Sequence, residues 1–359
     1  MQPEQTDGGH VSRREALRYG GAALSVGGLA GCLGFGSPDP IGETVSESER
    51  QAAQEARYGS CLAPTGCVTF DQPPSTWVSY QYGYGDMGVA LGQTDGYLAT
   101  NRPENYPDSF YEELPGVSFD AGSLTDINAG DKELFFELDP DLLLMDPNRR
   151  YGYGFQGEYE TMSLLETFEA VAHLFGEHDR YEAIAGIHEQ VQETLTAELP
   201  PESERPSIGL LGGGSDPEDG SFALLSALGE GYGRKQYRDL GVRDVLSDVE
   251  TGESPWYETD AEGLLELDPD VLVVHWTIHQ SESTFEAEFR TPLREGTVTS
   301  DLTAVEDGRV YRGGTAEQGP IINLFQTEIA AGQLYPERFG GRELFSRDEL
   351  ARAVRGAEP

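Results

Sequence analysis

Two stretches of the chain carry the same order of apolar and polar residues, 129 positions apart. Each of them, Glu133–Leu144 and Glu262–Val273, predicts the end of an amphipathic helix, a turn at a proline and a buried strand. Pro140 and Pro269 force the residue before them out of helical conformation. The strand segments show no alternation, which favours strands covered on both faces. Two such units indicate two related α/β lobes, and a chance similarity of two helix–strand units is the alternative.

Helical spacing of apolar residues predicts two consecutive helices between these repeats. The first covers Leu164–Phe175 and ends at Gly176, and the second runs from Asp179 to Leu199. At 1.5 Å per residue the second helix is roughly 30 Å long, which is enough to bridge two lobes. Further elements are predicted at 68–70 (opening strand), 207–211 (strand), 305–311 (hairpin-like turn into a final strand) and 321–334 (closing helix).

The N-terminus predicts an export signal. Arg13 and Arg14 precede a mild apolar run at 19–29, which is typical of twin-arginine signals and short for a membrane-spanning helix. The sequence Leu-Ala-Gly-Cys at 29–32 resembles a lipoprotein processing box, so Cys32 is expected to be lipidated. A plain secretion signal with an incidental cysteine is the alternative. The residues that follow are rich in Gly, Ser, Pro and Glu, and they predict a flexible tether.

The net charge is −40, with two lysines against 22 arginines. Such a chain repels itself in dilute buffer, and molar salt screens the repulsion. The composition resembles that of proteins from extreme halophiles, and it excludes a nucleic-acid binder, which needs a basic surface. Cys61 and Cys67, with five residues between them, are expected to form a disulfide in an exported protein. A metal site is disfavoured there because no further cysteine or nearby histidine completes a ligand set.

Several motifs, in their order and spacing, resemble those of substrate-binding lipoproteins of the iron-siderophore and vitamin B12 ABC import family. They are the two repeats, Ala170–Gly176, Gly308–Tyr311 and Leu334–Glu337, and the resemblance covers 65–340. It implies an α/β fold of two lobes with mainly parallel sheets, joined by a long rigid helix, with the ligand cleft between the lobes. It also implies docking on an ABC permease that works with an ATPase. A Tyr-rich insert at 80–84 and the Cys61/Cys67 segment depart from the family pattern.

These boundaries and the halophilic composition predict a monomeric haloarchaeal lipoprotein, anchored by lipid on the extracellular face of the cell membrane. Its parts are the twin-arginine lipoprotein signal (1–31), the tether (32–60), the N-terminal lobe (61–162), the helical segment (163–199), the C-terminal lobe (200–345) and a tail (346–359).

Candidate ligand residues follow the two repeat strands, because open α/β sheets bind ligands beyond the carboxyl ends of their strands. Arg149, Arg150 and Tyr151 come after the first, and His275 and Trp276 after the second. Arginine offers a planar donor fork for carboxylate, hydroxamate or phosphate oxygens, and pairing with surface acids is the alternative. Tryptophan can pack on a chelate or macrocycle and histidine can hydrogen-bond or ligate, whereas a core position is the alternative for Trp276.

A third candidate is the alternation of tyrosine with glycine at Tyr80, Tyr82 and Tyr84. It predicts a mobile aromatic loop facing the cleft, and packing against a neighbouring loop is the alternative. Tyrosine phenolates also bind ferric iron. Together these residues predict capture of a ferric siderophore of hydroxamate type, or a related iron chelate, without bond chemistry and without a cofactor.

Three other functions are the alternatives to siderophore capture. A zinc or manganese binding protein needs three or four convergent ligands, and only His275 and His279 lie at a plausible cleft position. Cobalamin or haem can replace the siderophore in the same cleft. A hydrolase is disfavoured, since neither a Gly-x-Ser-x-Gly nor a His-Glu-x-x-His motif occurs. The resemblance further implies that Glu133 and Glu262 pair with arginines of the permease; helix N-terminal acids favoured by the macrodipole are the alternative.

Overall fold

The computed structural model describes residues 46–62, 66–127, 132–145, 162–212, 214–229, 231–249, 256–315 and 317–356. Helix α1 (Glu47–Glu55) begins at Ser46, whose side chain and that of Glu49 form a reciprocal capping box. Strands β1 (Tyr58–Leu62) and β2 (Gly66–Phe70) follow as an antiparallel ribbon, in which Cys61 and Cys67 are paired and form a disulfide.

The predicted flexible tether, 32–60, therefore differs from the structure over 46–60. The cap, the burial of Ala53 and the disulfide-linked ribbon give this segment regular structure despite its polar composition. The strand predicted at 68–70 is present, but it pairs with β1 and not with a sheet of the lobes.

The first sheet is four-stranded and parallel throughout, in the order β5-β4-β3-β6. Its strands are β3 (Trp77–Ser79), β4 (Tyr97–Thr100), β5 (Thr125–Asp126) and β6 (Leu142–Leu144). Three helices accompany them: α2 (Tyr82–Ala90), α3 (Ser109–Glu112) and α4 (Lys132–Leu138). Trp77 is fully buried and stacks on Tyr97 with ring centroids 3.9 Å apart, which joins β3 to β4 through their side chains.

The second sheet is six-stranded and mixed. Its order is β10-β8-β7-β11-β12, and β9 also pairs with β7. The strands are β7 (Ser207–Leu211), β8 (Ser221–Leu225), β9 (Arg243–Asp244), β10 (Trp256–Asp260), β11 (Val271–His275) and β12 (Val310–Gly313). Pairs among β9, β7, β11 and β12 are parallel, whereas β8 is antiparallel to both β7 and β10.

Short helices flank this second sheet. They are α7 (Lys235–Asp239), α8 (Ala261–Leu267), α9 (Glu282–Phe285), a π-helix (Glu286–Arg290), α10 (Thr291–Glu295) and α11 (Thr303–Glu306). The final strand predicted at 305–311 is present as β12, but the hairpin-like turn predicted before it is wrong. Helix α11 leads through Gly308, at φ 67°, into β12, which runs parallel to β11 and so needs a crossover in place of a hairpin.

The two sequence repeats adopt the same local structure. Helix α4 leads into β6 and helix α8 into β11, and the residue before each proline has a positive φ: 43° at Asp139 and 36° at Asp268. The residue after each proline anchors the neighbouring strand. Asp141 Oδ2 accepts from Ser75 N at 2.9 Å, and Asp270 Oδ2 accepts from Ser207 N at 2.6 Å.

Burial differs between the repeat strands. All of β11 is buried, as predicted, because Val271 and Val273 pack in one apolar cluster and Leu272 and Val274 pack in another. Strand β6 is at the end of its sheet, and its Leu143 is 43% exposed, so the prediction of cover on both faces is wrong there. The predicted α/β fold with two mainly parallel sheets is confirmed.

Long helices connect the sheets. They are α5 (Leu164–Phe175), α6 (His178–Glu198) and α12 (Pro320–Leu334). Two shorter helices, α13 (Pro336–Phe339) and α14 (Arg347–Arg355), follow α12. One continuous apolar core includes Trp77 of the first sheet and Val273 of the second. His188 on α6 is buried and its Nε2 lies 2.9 Å from Pro320 O; burial lowers the pKa of this histidine to about 3, so it is a neutral structural residue. Within the described ranges no helix is both long and apolar enough to cross a bilayer.

Candidate ligand site at the strand carboxyl ends

The Tyr-rich segment after β3 is not a loop. Tyr80 is buried with Val78 and Ile127, and Tyr82 and Tyr84 lie on helix α2. The glycines of this helix allow it to approach the sheet closely. A Cβ on Gly88 would lie 2.2 Å from the Trp77 ring, and one on Gly85 would lie 2.3 Å from the Tyr97 hydroxyl. The pattern predicted as a mobile loop therefore serves close packing of a helix, in which only glycine fits.

Tyr82 links the two sheets at their carboxyl ends. Its hydroxyl is hydrogen-bonded to that of Thr315, and its backbone N donates to Glu317 Oε2 at 3.0 Å. Both partners belong to the segment that follows β12. A second link joins the hydroxyls of Thr167 on α5 and Tyr232, near α7. Side chains from both halves of the molecule therefore meet where the strands end, which is the position expected for a ligand in an α/β protein.

A buried carboxylate lies directly behind Tyr82. Asp86 on α2 accepts from the Tyr111 hydroxyl at 2.5 Å and from Ile322 N at 3.0 Å. Burial raises the pKa of Asp86 to about 7, although both hydrogen bonds act in the opposite direction. The sequence reasoning missed this residue. The available signal was an acidic side chain at the start of an otherwise apolar segment, 86–91.

His275 and Trp276 lie at the carboxyl end of β11. His275 is 2% exposed, and burial, followed by the charge of Arg234, lowers its pKa to about 3. Trp276 is half-buried, has φ 69° and donates from its backbone N to Gly314 O at 3.2 Å. Its ring meets that of Trp256 edge-on, with centroids 5.5 Å apart. Trp276 is thus an incompletely covered aromatic side chain at a strand end, and ligand contact stays a prediction for both residues.

Four of the candidate residues lie outside the described residues: Arg149, Arg150, Tyr151 and Cys32. Strand β6 ends at Leu144, and the description of this segment ends at residue 145, before the first three. His279 is exposed, and the described part of the chain contains no cluster of three or more His, Cys, Asp or Glu residues arranged for a metal ion.

Glu133 and Glu262 occupy matching positions. Each is the second residue of its helix, α4 or α8, and each is exposed. The N-terminus of α8 is capped by Asp260, whose Oδ1 accepts from Gly263 N at 3.0 Å, so Glu262 is not the capping residue. The two carboxylates are therefore available at equivalent points of the two halves, and their docking role stays a prediction.

A separate open cavity of about 500 Å³ lies between β12, α12 and the segment 339–347. Tyr311, Glu328, Arg342 and Arg347 contribute to its lining. None of the candidate ligand residues lines it. We therefore place the candidate ligand site at Tyr82, Thr315 and Trp276 and not in this cavity.

No family model matches the sequence, and no curated protein matches it. Solved structures do match. A periplasmic binding protein from Veillonella parvula has a TM-score of 0.56 at 15% identity, with 77% of this chain and 98% of that chain covered. CeuE of Helicobacter pylori, with Ni(II) bound, has a TM-score of 0.57 at 11% identity, with 82% and 95% covered.

An ABC-type Fe³⁺-hydroxamate transport system from Saccharomonospora viridis has a TM-score of 0.51 at 19% identity, with 76% of this chain and 97% of that chain covered. At these identities the likeness concerns the fold and not the ligand. The match extends over almost the whole length of each of these proteins. The chain has the two-lobe α/β fold of periplasmic binding proteins.

Proposed function

We propose that the protein is the extracellular solute-binding component of an ABC importer, which captures a ferric siderophore of hydroxamate type or a related iron chelate. The observation that carries the proposal is the meeting of Tyr82 with Thr315 and Glu317 where the strands of both halves end. A cleft at this place binds and releases a solute without any bond chemistry. The similar solved structures include an Fe³⁺-hydroxamate transport protein, which favours this ligand class.

The chemistry of the residues supports a polar chelate with apolar edges. Trp276, packed on Trp256, supplies an aromatic wall, and Tyr82 supplies a hydroxyl on Thr315, the residue after the Gly314 that accepts from Trp276 N. We include Arg149 and Arg150 in the site, since they come shortly after β6 in the sequence and cations are scarce in a chain of net charge −40. Clustered cations in a cleft attract an anionic ligand in spite of the acidic surface.

The N-terminal sequence supports a lipid anchor on the extracellular face of the cell membrane. A twin-arginine signal with Arg13 and Arg14 directs export, and Cys32 becomes the lipidated first residue. The monomer then presents Glu133 and Glu262 to the two subunits of the permease, whose ATPase drives transport. Two equivalent carboxylates suit a two-fold symmetric partner.

The test is direct binding. Protein purified in molar KCl is examined by native mass spectrometry and metal analysis, and tryptophan fluorescence is titrated with a ferric trihydroxamate, its metal-free form, cobalamin and haem. We expect saturable binding of the ferric complex by the natural protein and weaker binding by the Trp276→Ala variant. The buried Trp77 is retained in both proteins. Binding of zinc or manganese alone, or of cobalamin or haem in preference to the ferric complex, would overturn the assignment.

A further inference from the structure

Three side-chain nitrogens near the carboxyl ends of β11 and β12 are buried and have no hydrogen-bond partner among the described residues. They are His275 Nδ1, Trp276 Nε1 and Gln326 Nε2. His275 and Gln326 are each only 2% exposed. Buried polar groups in native proteins are almost always paired, because an unpaired one forfeits its hydration without compensation. The three residues that carry these atoms all lie next to Gly314, and each nitrogen is left for a partner from outside the described protein.

Gly314 contacts all three of these residues. Its backbone N donates to Gln326 Oε1 at 3.1 Å, and its carbonyl accepts from Trp276 N at 3.2 Å. Its φ is 66°, and a Cβ at this position would lie 2.1 Å from His275 Nδ1. Glycine is therefore required here both for the backbone conformation and for the approach of the imidazole.

The same contact fixes the orientation of the Gln326 amide. Because the Gly314 N–H can only donate, the amide oxygen must face it, and the amide nitrogen is the atom left without a partner. This residue lies on α12, far along the chain from both repeats, and no sequence pattern singled it out.

The three nitrogens share one chemical preference. An amide nitrogen and an indole nitrogen only donate, and a neutral imidazole donates from Nδ1 in one of its two tautomers. His275 is neutral because its burial disfavours the charged ring. With His275 in the Nδ1–H tautomer all three nitrogens donate, so the set binds an oxygen with free lone pairs and offers no acceptor to an amine or ammonium group.

We propose that His275, Trp276 and Gln326 form an oxygen-acceptor subsite, which holds a hydroxamate or carboxylate oxygen of the captured chelate. The inference rests on the proposed function, since the loop that gathers the donors continues into Thr315, the partner of Tyr82. Trp276 is half-buried and forms the entrance of the subsite, whereas His275 and Gln326 form its floor. Metal-coordinated hydroxamate and carboxylate oxygens are deprotonated and therefore suit a set of donors.

Indole N–H signals report on the subsite directly. The chain has three tryptophans, and Trp77 Nε1 donates to Gln93 O at 2.9 Å, so its signal serves as an internal reference. Protein labelled with ¹⁵N-indole tryptophan is titrated with gallium(III) trihydroxamate and with gallium(III) citrate, which are diamagnetic counterparts of the ferric complexes. Trp276→Phe assigns the Trp276 signal. We expect this signal to move downfield on binding while that of Trp77 stays in place.

Affinity measurements with variants complete the test. Trp276→Phe keeps an aromatic ring, although a smaller one, and removes the N–H donor, and Gln326→Glu replaces a donor by an acceptor. Each change is expected to weaken binding about tenfold or more. Gln192→Glu makes the same charge change at an exposed site on α6 and is expected to leave affinity unchanged. Trp276→Phe decides the matter if Gln326→Glu does not fold.

The outcomes separate the subsite from the proposed function. A response to gallium citrate alone would overturn the hydroxamate assignment and support the subsite. Tight binding of either chelate with no change at Trp276, and with unchanged affinity in the variants, would overturn the subsite and leave the proposed function standing. Lowered melting temperatures with unchanged affinity would mean that an internal water is the acceptor, which also overturns the subsite. Absence of binding by both chelates would overturn the two proposals together.

Discussion

Asp86 Oδ2 accepts a hydrogen bond from the backbone N of Ile322, 3.0 Å away and 236 positions along the chain. Ile322 lies in the first turn of α12, whose N-terminal residue is Pro320. A carboxylate on a helix of the first sheet therefore caps a helix that packs between the two halves. A negative charge is favoured at a helix N-terminus, but here it is completely buried. The same residue thus stabilises the junction by its geometry and destabilises it when ionised.

This conflict predicts that the free energy of unfolding depends on pH, and that Asp86→Asn removes this dependence. Since the folded-state pKa is raised from 3.8 to about 7, the contribution of Asp86 to stability is complete below pH 3.8 and is lost as pH rises through 7. The free energy of unfolding of the natural protein should fall relative to Asp86→Asn by up to about 4 kcal/mol across this range. Denaturant unfolding in molar KCl at several pH values measures the difference.

Asp141→Asn is the matched control. Its hydrogen bonds with Ser75 lower the pKa of Asp141, so its contribution is present above pH 3.8 and is lost only as pH falls further. The difference between this variant and the natural protein should stay constant from pH 5 to 7. A constant difference for Asp86→Asn over the same range would contradict the assignment of a raised pKa.

Much of the fold follows from local sequence signals. The repeat around Pro140 and Pro269 predicts two helix–strand units because proline and the apolar runs act over a few residues. Capping likewise defines α5, which begins at Ser163 and ends at Gly176.

Tertiary context decides what the sequence reasoning could not. Of the glycines in the segment that suggested a loop, Gly83 lies against the backbone of Gln318 and Gly85 against the Tyr97 hydroxyl, and only the folded chain brings these neighbours beside α2. Gln326 becomes a candidate only through its contact with Gly314, and Asp86 only through Ile322. No periodicity or motif encodes such pairings, since each joins residues distant in sequence.

Arg149→Ala combined with Arg150→Ala should weaken binding of a ferric chelate at least about tenfold, or about 1.4 kcal/mol. The reason is the loss of the two guanidinium donor forks that we place in the proposed site. Fluorescence titration in molar KCl measures the change, and Arg352→Ala, an exposed arginine on α14, is the control. Affinity equal to that of the natural protein would remove the arginine pair from the site.

The protein should need molar salt to remain folded. A net charge of −40 repels itself strongly in dilute buffer, and the Debye length falls from about 10 Å at 0.1 M to about 3 Å at 1 M. We expect the melting temperature to rise steeply between 0.1 M and 3 M KCl, as followed by circular dichroism. A melting temperature that is independent of KCl over this interval would show that self-repulsion does not limit stability.

Arg13→Lys together with Arg14→Lys should block export, and Cys32→Ala should release the exported protein into the medium. The first change removes the paired arginines of the signal, and the second removes the site of lipidation. Fractionation of cells and medium, followed by immunoblotting, distinguishes the two effects. Complete retention of the Cys32→Ala protein in the membrane fraction would exclude the lipid anchor.

Glu133→Ala together with Glu262→Ala should leave ligand affinity intact and abolish uptake. Both side chains are exposed on equivalent helices, α4 and α8, and neither lies at the candidate ligand site. Because molar salt weakens exposed ion pairs, the surrounding surface must also pack against the permease. Uptake of a radiolabelled ferric chelate by whole cells, beside titration of the purified variant, measures the two properties separately.

The repeat supplies a matched control for this pair. Glu137 and Glu266 are also exposed, occupy equivalent positions one turn further along the same two helices, and are likewise 129 residues apart. Changing both to alanine removes the same charge from the same helices, so any general effect of charge is reproduced. If position along the helix determines docking, this control retains uptake. Loss of uptake in both double variants would mean that the acidic surface as a whole determines docking. A fall in the ligand affinity of the Glu133→Ala, Glu262→Ala variant, parallel to its loss of uptake, would contradict a docking role for these two residues.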